Sequence, residues 1–292
     1  MRKTIRMLVV MMSGLFLCAG CAPQQGENIN DWIPKGITQG ALESPAIEGV
    51  IPDSLSDRTE QEEPIVTPDG TKVPKEEGEK EKDISPVGKV LVVGNSITLG
   101  FGTHGMASSA SNTDYYYRVN QYLLEKNRSL EMKRIPGYAW EGGVSTEGRK
   151  RFWDETLKPE LGDDCDLLII QLGDNVNTPE KQETFAHDAK ELLRMVKETV
   201  PEIRILWVFG RYNLSNADAI KSACAEYGAE YVDISIVSTD KKYQAELKSE
   251  YEKEDGTIGI IQDYGVASHP NDYGMQVISE LIIEQLGYDE EG

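Results

Sequence analysis

The stretch Val90-Leu-Val-Val-Gly-Asn-Ser-Ile-Thr-Leu-Gly100 decides how this chain folds. Its branched apolar run shows no alternation, so it reads as a strand buried on both faces, and such strands belong to parallel sheets covered by helices. The run stops at Gly94-Asn95-Ser96, which delivers a hydroxyl at the carboxyl end of the strand. In an open α/β sheet that edge is where ligands bind, so Ser96 is either an ordinary turn residue or a nucleophile.

Outward from this stretch the same design repeats. A second apolar strand begins at Asp166 and ends in Gly173-Asp174-Asn175, and a third covers 204–209. Shorter strands are read at 130–135, which alternates, and at 231–235. Between them lie helical spacing at Tyr116, Val119, Tyr122 and Leu123, a helix capped at Ser145 that runs through Phe152 and Leu157, and amphipathic helices over 178–199 and 215–227. The order βαβαβαβαβ predicts a three-layer α/β/α domain around a central, mostly parallel, five-stranded sheet joined by right-handed crossovers. Residues 238–262 are charged and break the pattern, which suggests an insertion folded over the sheet's edge. The last helix opens with Asn271 as its N-cap and presents Met275, Ile278, Leu281, Ile282 and Leu286 on one face.

Ahead of this domain the composition is different. Arg2, Lys3 and Arg6 precede an apolar segment over 7–17 that is too short for a comfortable membrane span, the pattern of an export signal. It runs into Cys18-Ala19-Gly20-Cys21, which resembles the lipobox of bacterial lipoproteins, with small residues ahead of the cysteine that becomes lipidated. That resemblance makes 1–21 a lipoprotein signal, Cys21 the lipidated residue and the membrane a partner through the lipid, on the extracytoplasmic side. A plain secretory signal cleaved nearby is the other reading. Residues 22–86 carry fifteen Asp or Glu against six Lys or Arg and eight of the thirteen prolines. Without periodicity or enough apolar surface to offset ordering entropy, they read as a disordered, self-repelling tether. The segment's −9 is close to half of the chain's formal −20, which leaves 87–292 as the globular, still acidic domain.

An acidic domain with no cluster of Lys and Arg excludes a nucleic-acid backbone as partner. Once the leader is set aside, Cys165 and Cys224 remain, with no CxxC or Cys/His spacing to make a zinc site. They either pair in an oxidising compartment or stay as two buried thiols. No cofactor is expected.

Three positions converge on one sheet edge: Ser96, Gly173-Asp174-Asn175, and His269 just before the last helix. A serine hydroxyl is a weak nucleophile until a neighbouring imidazole can take its proton, and attack on a carbonyl creates an oxyanion that needs fixed donors. The Ser96 N–H, a glycine N–H from the Trp140 to Gly143 loop and the Asn175 amide are candidates for those donors.

Gly94-Asn95-Ser96-Ile97, the glycine after Trp140, Gly173-Asp174-Asn175 and His269-Pro270-Asn271 with Gly274 resemble the four blocks of the SGNH hydrolases, also called GDSL esterases and lipases. The resemblance runs over about 88–288. It implies a flavodoxin-like α/β/α fold, Ser96 as nucleophile and His269 as base. It also implies an oxyanion hole of Ser96, a glycine and Asn175. For the glycine, the family pattern G-x-x-[ST] fits Gly142 with Ser145 best, and Gly143 is the close second. Two departures stand out. Family members commonly carry Asp three residues before the histidine, where this chain has Val266. Either Asp263 orients the imidazole through a turn, or a backbone carbonyl near Val266 does so and the pair is a Ser-His dyad. Asn95 replaces the usual Asp of the first block.

Other residues have plainer readings. His187 lies among charged helix residues and is read as solvated, His104, in the loop after Ser96, as a surface position with a pocket-lining one as the alternative, and Tyr115 to Tyr117 as core plus rim ahead of a sugar-stacking platform. The function expected is a lipid-anchored serine esterase that removes an acyl group, acetyl first, from a carbohydrate or cell-wall glycan. A lysophospholipase or lipase, which needs an apolar acyl slot, is the alternative in the same class. A surface glycan-binding lipoprotein with weakened catalysis is the alternative from another, and Val266 in place of Asp is its support.

Overall fold

Strands that lack a polar face must be covered on both sides, and the core is built that way. The computed structural model describes residues 87–287. The export signal, Cys21 and the acidic tether lie outside the described residues. Strands β1 (Lys89–Gly94), β2 (Glu131–Pro136), β3 (Leu167–Gln171), β4 (Arg204–Phe209) and β5 (Glu230–Asp233) form one sheet in the order β2-β1-β3-β4-β5. Every neighbouring pair is parallel, with Val90 opposite both Met132 and Leu167, Ile169 opposite Leu206 and Val208 opposite Val232. The sequence order reverses between β1 and β3, and a crevice opens at such a switch point beyond the carboxyl ends of the two strands.

The helices are α1 (Ser96–Leu99), α2 (Tyr115–Lys126), α3 (Tyr138–Gly142), α4 (Thr146–Phe152), α5 (Pro179–Glu183), α6 (Phe185–Thr199), α7 (Ala217–Tyr227), α8 (Tyr264–Ala267) and α9 (Asp272–Leu286). Leu91, Val93, Leu168, Ile170, Ile205 and Trp207 share one core with side chains of α4, α6 and α7. The alternate residues Val90, Val92, Leu167, Ile169, Leu206 and Val208 share the other core with α2 and α9. The period of two along each strand thus feeds two separate cores, which is the three-layer architecture expected. Ser145 caps α4 through the Gly148 N–H at 3.2 Å, and Asn271 caps α9 through the Gly274 N–H at 2.9 Å, as their positions predict.

The single helix expected over 178–199 is two, broken at Thr184. Arg149 is the physical reason. Its buried guanidinium donates to the Lys181 carbonyl at 2.6 Å and the Thr184 hydroxyl at 2.8 Å, groups at the point where a continuous helix would have closed its own ladder. It also donates to Asp188 Oδ2 at 2.5 Å and to the Trp140 carbonyl at 3.2 Å, which ties α3 to α6. Removing one partner of a buried pair leaves the other charge uncompensated. Arg149→Met is therefore expected to lower stability by about 3–5 kcal/mol, read as a shift of the urea midpoint at constant m-value. Adding Asp188→Leu should recover much of that loss.

Residues 238–262 carry an antiparallel hairpin, β6 (Glu250–Glu252) with β7 (Ile258–Ile260). It packs on the loop after α1: the Glu252 N–H donates to the Ser109 carbonyl at 2.8 Å, and Tyr251 stacks on Phe101 at 4.1 Å. His104, read from sequence as a surface position, is fully buried. Its ring stands edge-on to Phe101 at 5.3 Å with Nδ1 3.0 Å from the Thr103 hydroxyl. A hairpin arriving some 150 residues later covers it, and nothing local signals that. His187 is exposed. Tyr115 is buried with its hydroxyl 2.7 Å from Thr98 Oγ1, and Tyr116 is half-buried beneath the Arg134 guanidinium. Tyr117 sits at the exposed rim. Cys165 and Cys224 are free, buried thiols.

Candidate active site

The turn at the end of β1 is built around a close approach. A Cβ on Gly94 would lie 1.8 Å from Thr98 Oγ1, so only glycine lets α1 start directly on the strand. Asn95 caps this short helix, its Oδ1 accepting from the Ile97 N–H at 3.1 Å. The Ser96 carbonyl accepts from the N–H groups of Gly100 at 2.9 Å and Met106 at 2.8 Å. The serine is thereby fixed by backbone bonds on its carbonyl side. Among the described residues its own N–H has no acceptor.

His269 reaches the same point from the turn between α8 and α9. Its Nε2 is 2.8 Å from Ser96 Oγ, and its Nδ1 is 2.8 Å from the Gly265 carbonyl oxygen. A carbonyl only accepts, so Nδ1 carries the proton and Nε2 presents a lone pair to the serine hydroxyl. The Gly265 carbonyl is available because the chain tightens as α8 ends: the His269 N–H bonds to the Val266 carbonyl at 3.0 Å instead of continuing the helical ladder. Ser268 Oγ donates to the same Gly265 oxygen at 2.7 Å.

Asp263 does not orient the imidazole. Its carboxylate caps α8, accepting from the N–H groups of Gly265 at 2.7 Å and Val266 at 3.1 Å. The hydrogen bonds of an N-cap hold the carboxylate at the start of the one-turn helix, whereas the imidazole meets a carbonyl of that helix. Of the two alternatives for the Nδ1 partner, the structure has the backbone carbonyl, one residue before Val266.

The loop after β4 completes the surroundings of the histidine. Tyr212 packs edge-on against the imidazole at 5.2 Å and donates its hydroxyl to the Ser268 carbonyl at 3.3 Å. The Arg211 guanidinium donates to that carbonyl too. Burial, and secondarily the nearby Arg211 cation, push the His269 pKa down to about 4, while the Gly265 bond opposes the shift. Among the described residues no carboxylate hydrogen-bonds to the ring, and Asp263 opposes the shift only through space.

The loop that carries Asn175 is tied to the Ser96 turn through Glu141, which accepts from both Asn95 and Asn175. Gly173 has φ +120°, a conformation that suits glycine, and it turns the chain from β3 towards Asn175. Asn175 is half-buried, and its Nδ2 donates to Glu141 Oε2 at 2.7 Å. Only one of its two amide hydrogens is used there. Gly143 already gives its N–H to the Trp140 carbonyl at 3.2 Å. At Gly142, the last residue of α3, nothing beyond its chain neighbours and its own helix backbone lies within 4 Å of where a Cβ would stand.

Glu141 is the residue that sequence reasoning missed. It is 1% exposed, and its Oε1 accepts from Asn95 Nδ2 at 3.2 Å, the Gly173 N–H at 2.7 Å and the Asn175 N–H at 3.2 Å. The arrangement explains the departure at Asn95. That side chain must cap α1 with its oxygen and donate to Glu141 with its nitrogen, whereas an aspartate would set two carboxylates against each other. Asp174, also buried, accepts from the N–H groups of Tyr212 at 2.9 Å and Asn213 at 3.3 Å and from Gln171 Nε2 at 3.1 Å. Burial raises the pKa of both carboxyl groups above the ordinary range. The only hint of Glu141 in the sequence is an acid placed between Trp140 and a glycine pair.

Residues 92–277 match the GDSL-like Lipase/Acylhydrolase family. Among solved structures, the chain is similar to a two-domain esterase active on acetylated mannans (18% identity, TM-score 0.46), over 70% of this chain and 50% of that one. The match therefore spans half the length of that esterase. It is similar as well to an acetyl xylan esterase from Geobacillus stearothermophilus (16% identity, TM-score 0.45, 70% of this chain and 96% of that one). A third is phospholipase A1 from Streptomyces albidoflavus NA297 (14% identity, TM-score 0.44, 68% and 99%). No curated protein matches the chain. With the family match running from within β1 into α9, the chain belongs to the GDSL-like lipase/acylhydrolase family and is a serine ester hydrolase.

Proposed function

We propose that Ser96 and His269 act as a catalytic dyad that hydrolyses acyl esters through an acyl-enzyme. The observation that carries this reading is the continuous line from Ser96 Oγ through His269 Nε2, 2.8 Å away, to Nδ1 on the Gly265 carbonyl, also at 2.8 Å. Ser96 Oγ attacks the acyl carbon while its proton passes to Nε2. The imidazolium then protonates the leaving alcohol oxygen as the tetrahedral intermediate collapses. Water attacks the acyl-enzyme with His269 again taking a proton, and Ser96 regains its own as the carboxylic acid departs. The Ser96 N–H, Gly142 and the second Asn175 amide hydrogen are the donors for the oxyanion. Asn175→Ala is expected to lower kcat by on the order of a hundredfold with little change in KM, measured with p-nitrophenyl acetate.

For the substrate, the proposal is a small acyl group, acetyl first, on a carbohydrate or cell-wall glycan, met at the cell surface or in the periplasm by an enzyme anchored through Cys21. A cavity of about 410 Å³ supports this. It is lined by Asn271, two residues along the chain from His269, and otherwise by residues outside the dyad, largely polar side chains such as Lys241, Lys242, Gln244, Glu250 and Tyr273. Such walls suit hydroxyl-rich chains better than an acyl tail. Rates over p-nitrophenyl esters of rising acyl length, together with acetate release from acetylated oligosaccharides, test it. Acetyl esters should turn over fastest, and a maximum at long chains or on lysophospholipids would favour the lipase reading instead.

A further inference from the structure

Glu141 makes four hydrogen bonds in a buried site, and all four partners are N–H donors: Asn95 Nδ2, the Gly173 and Asn175 backbones, and Asn175 Nδ2. A protonated carboxyl group would set an O–H against one of those donors. The donor set therefore calls for the carboxylate, even though burial alone works against the charge. The same side chain, on the residue next to Gly142, thus touches the turn that carries Ser96 and the loop that carries Asn175.

We propose that Glu141 is the positioning residue of the oxyanion hole: by accepting one N–H of the Asn175 amide at 2.7 Å, it fixes which way that amide faces and leaves the other N–H for the developing oxyanion. The proposal rests on the reading of Asn175 as an oxyanion donor. The physical reason is the two-fold ambiguity of a carboxamide, whose oxygen and nitrogen ends fill nearly the same space. An acceptor-only partner removes the ambiguity, because only the nitrogen end can face it. The bonds from Oε1 to the Gly173 and Asn175 N–H groups hold the loop at the same time, so amide and backbone are located by one group.

In Glu141→Gln the side-chain oxygen can keep the three bonds now made by Oε1, but an NH₂ then faces Asn175. The asparagine must flip to accept from it, and the Oδ1 lone pair then stands where the N–H stood. A carbonyl oxygen repels an oxyanion, so the flipped amide is at least as harmful as a missing one.

The test is a double-mutant cycle on the full chain, with steady-state hydrolysis of p-nitrophenyl acetate and thermal melting read for each variant. E141Q and N175A are each expected to lower kcat roughly a hundredfold with KM within about threefold, and E141Q/N175A is expected to be no slower than N175A. Losses that multiply to roughly ten-thousandfold in the double variant, or an E141Q enzyme within twofold of the parent, would overturn the positioning role. If N175A alone has no effect, the donor reading itself falls, and this proposal with it, an outcome distinct from multiplying losses. Should E141Q fail to fold, the exchanged pair E141Q/N175D restores the hydrogen bond with donor and acceptor swapped. It is expected to melt near the parent while kcat stays low, because no amide hydrogen remains for the oxyanion. Recovery of kcat in that pair would overturn the proposal.

Discussion

Ser96→Ala is expected to cut the hydrolysis of p-nitrophenyl acetate by roughly 10⁴-fold or more, because dyad or triad members act as a unit and their loss leaves only what the oxyanion donors and binding can supply. The melting temperature should barely move. Among the described residues Ser96 Oγ hydrogen-bonds only to His269, and the turn is held by the Asn95 cap and by the Gly100 and Met106 N–H groups on the Ser96 carbonyl. Loss of activity without loss of stability separates a missing nucleophile from a damaged fold. An unchanged rate in the purified variant would remove Ser96 from the mechanism.

A loss of the same order is expected for His269→Ala, and the parent's pH profile reports why. The imidazole must be neutral to accept the serine proton, so kcat/KM falls as the free enzyme's ring becomes protonated. Burial and Arg211 push its pKa down to about 4, below the ordinary 6.5. The ring is only partly covered, so the acid limb is expected between those values. The enzyme therefore stays active in mildly acidic medium, where a histidine paired with a carboxylate would already be protonated. A limb at or above 6.5 would show that a carboxylate supports the ring after all. The same shift bears on stability with the opposite sense. Between 6.5 and about 4 the unfolded chain takes up a proton that the folded chain does not, so this group's contribution falls as pH drops through that window and levels off below it. A neutral carbonyl in place of Asp also costs rate, since it fixes the tautomer but lends less charge to the imidazolium.

How far the residues alone announce this structure depends on how local the governing physics is. The apolar runs of β1, β3 and β4 carry no ambiguity because burial on both faces leaves no polar positions, and the reversal between β1 and β3 then puts Ser96 and Asn175 at one crevice. The Ser145 and Asn271 caps are equally local. What stays hidden is decided by distant groups. The helix over 178–199 breaks because Arg149 takes the Lys181 carbonyl from 32 residues away. His104 is buried because a late hairpin lands on Phe101. The partner of His269 Nδ1 is a backbone atom, which every residue possesses and none advertises. Glu141 has no periodic context, and its value lies in four donors brought from two distant segments, the Asn95 turn and the Gly173 to Asn175 loop.

The most direct measurement is mass spectrometry of the whole protein and its peptides after reaction with a fluorophosphonate, which phosphonylates only an activated serine hydroxyl. One adduct per chain, mapped to Ser96 and strongly slowed by His269→Ala, is the predicted result. An adduct on another residue, or undiminished ester hydrolysis by protein fully modified at Ser96, would contradict a Ser96 nucleophile activated by His269.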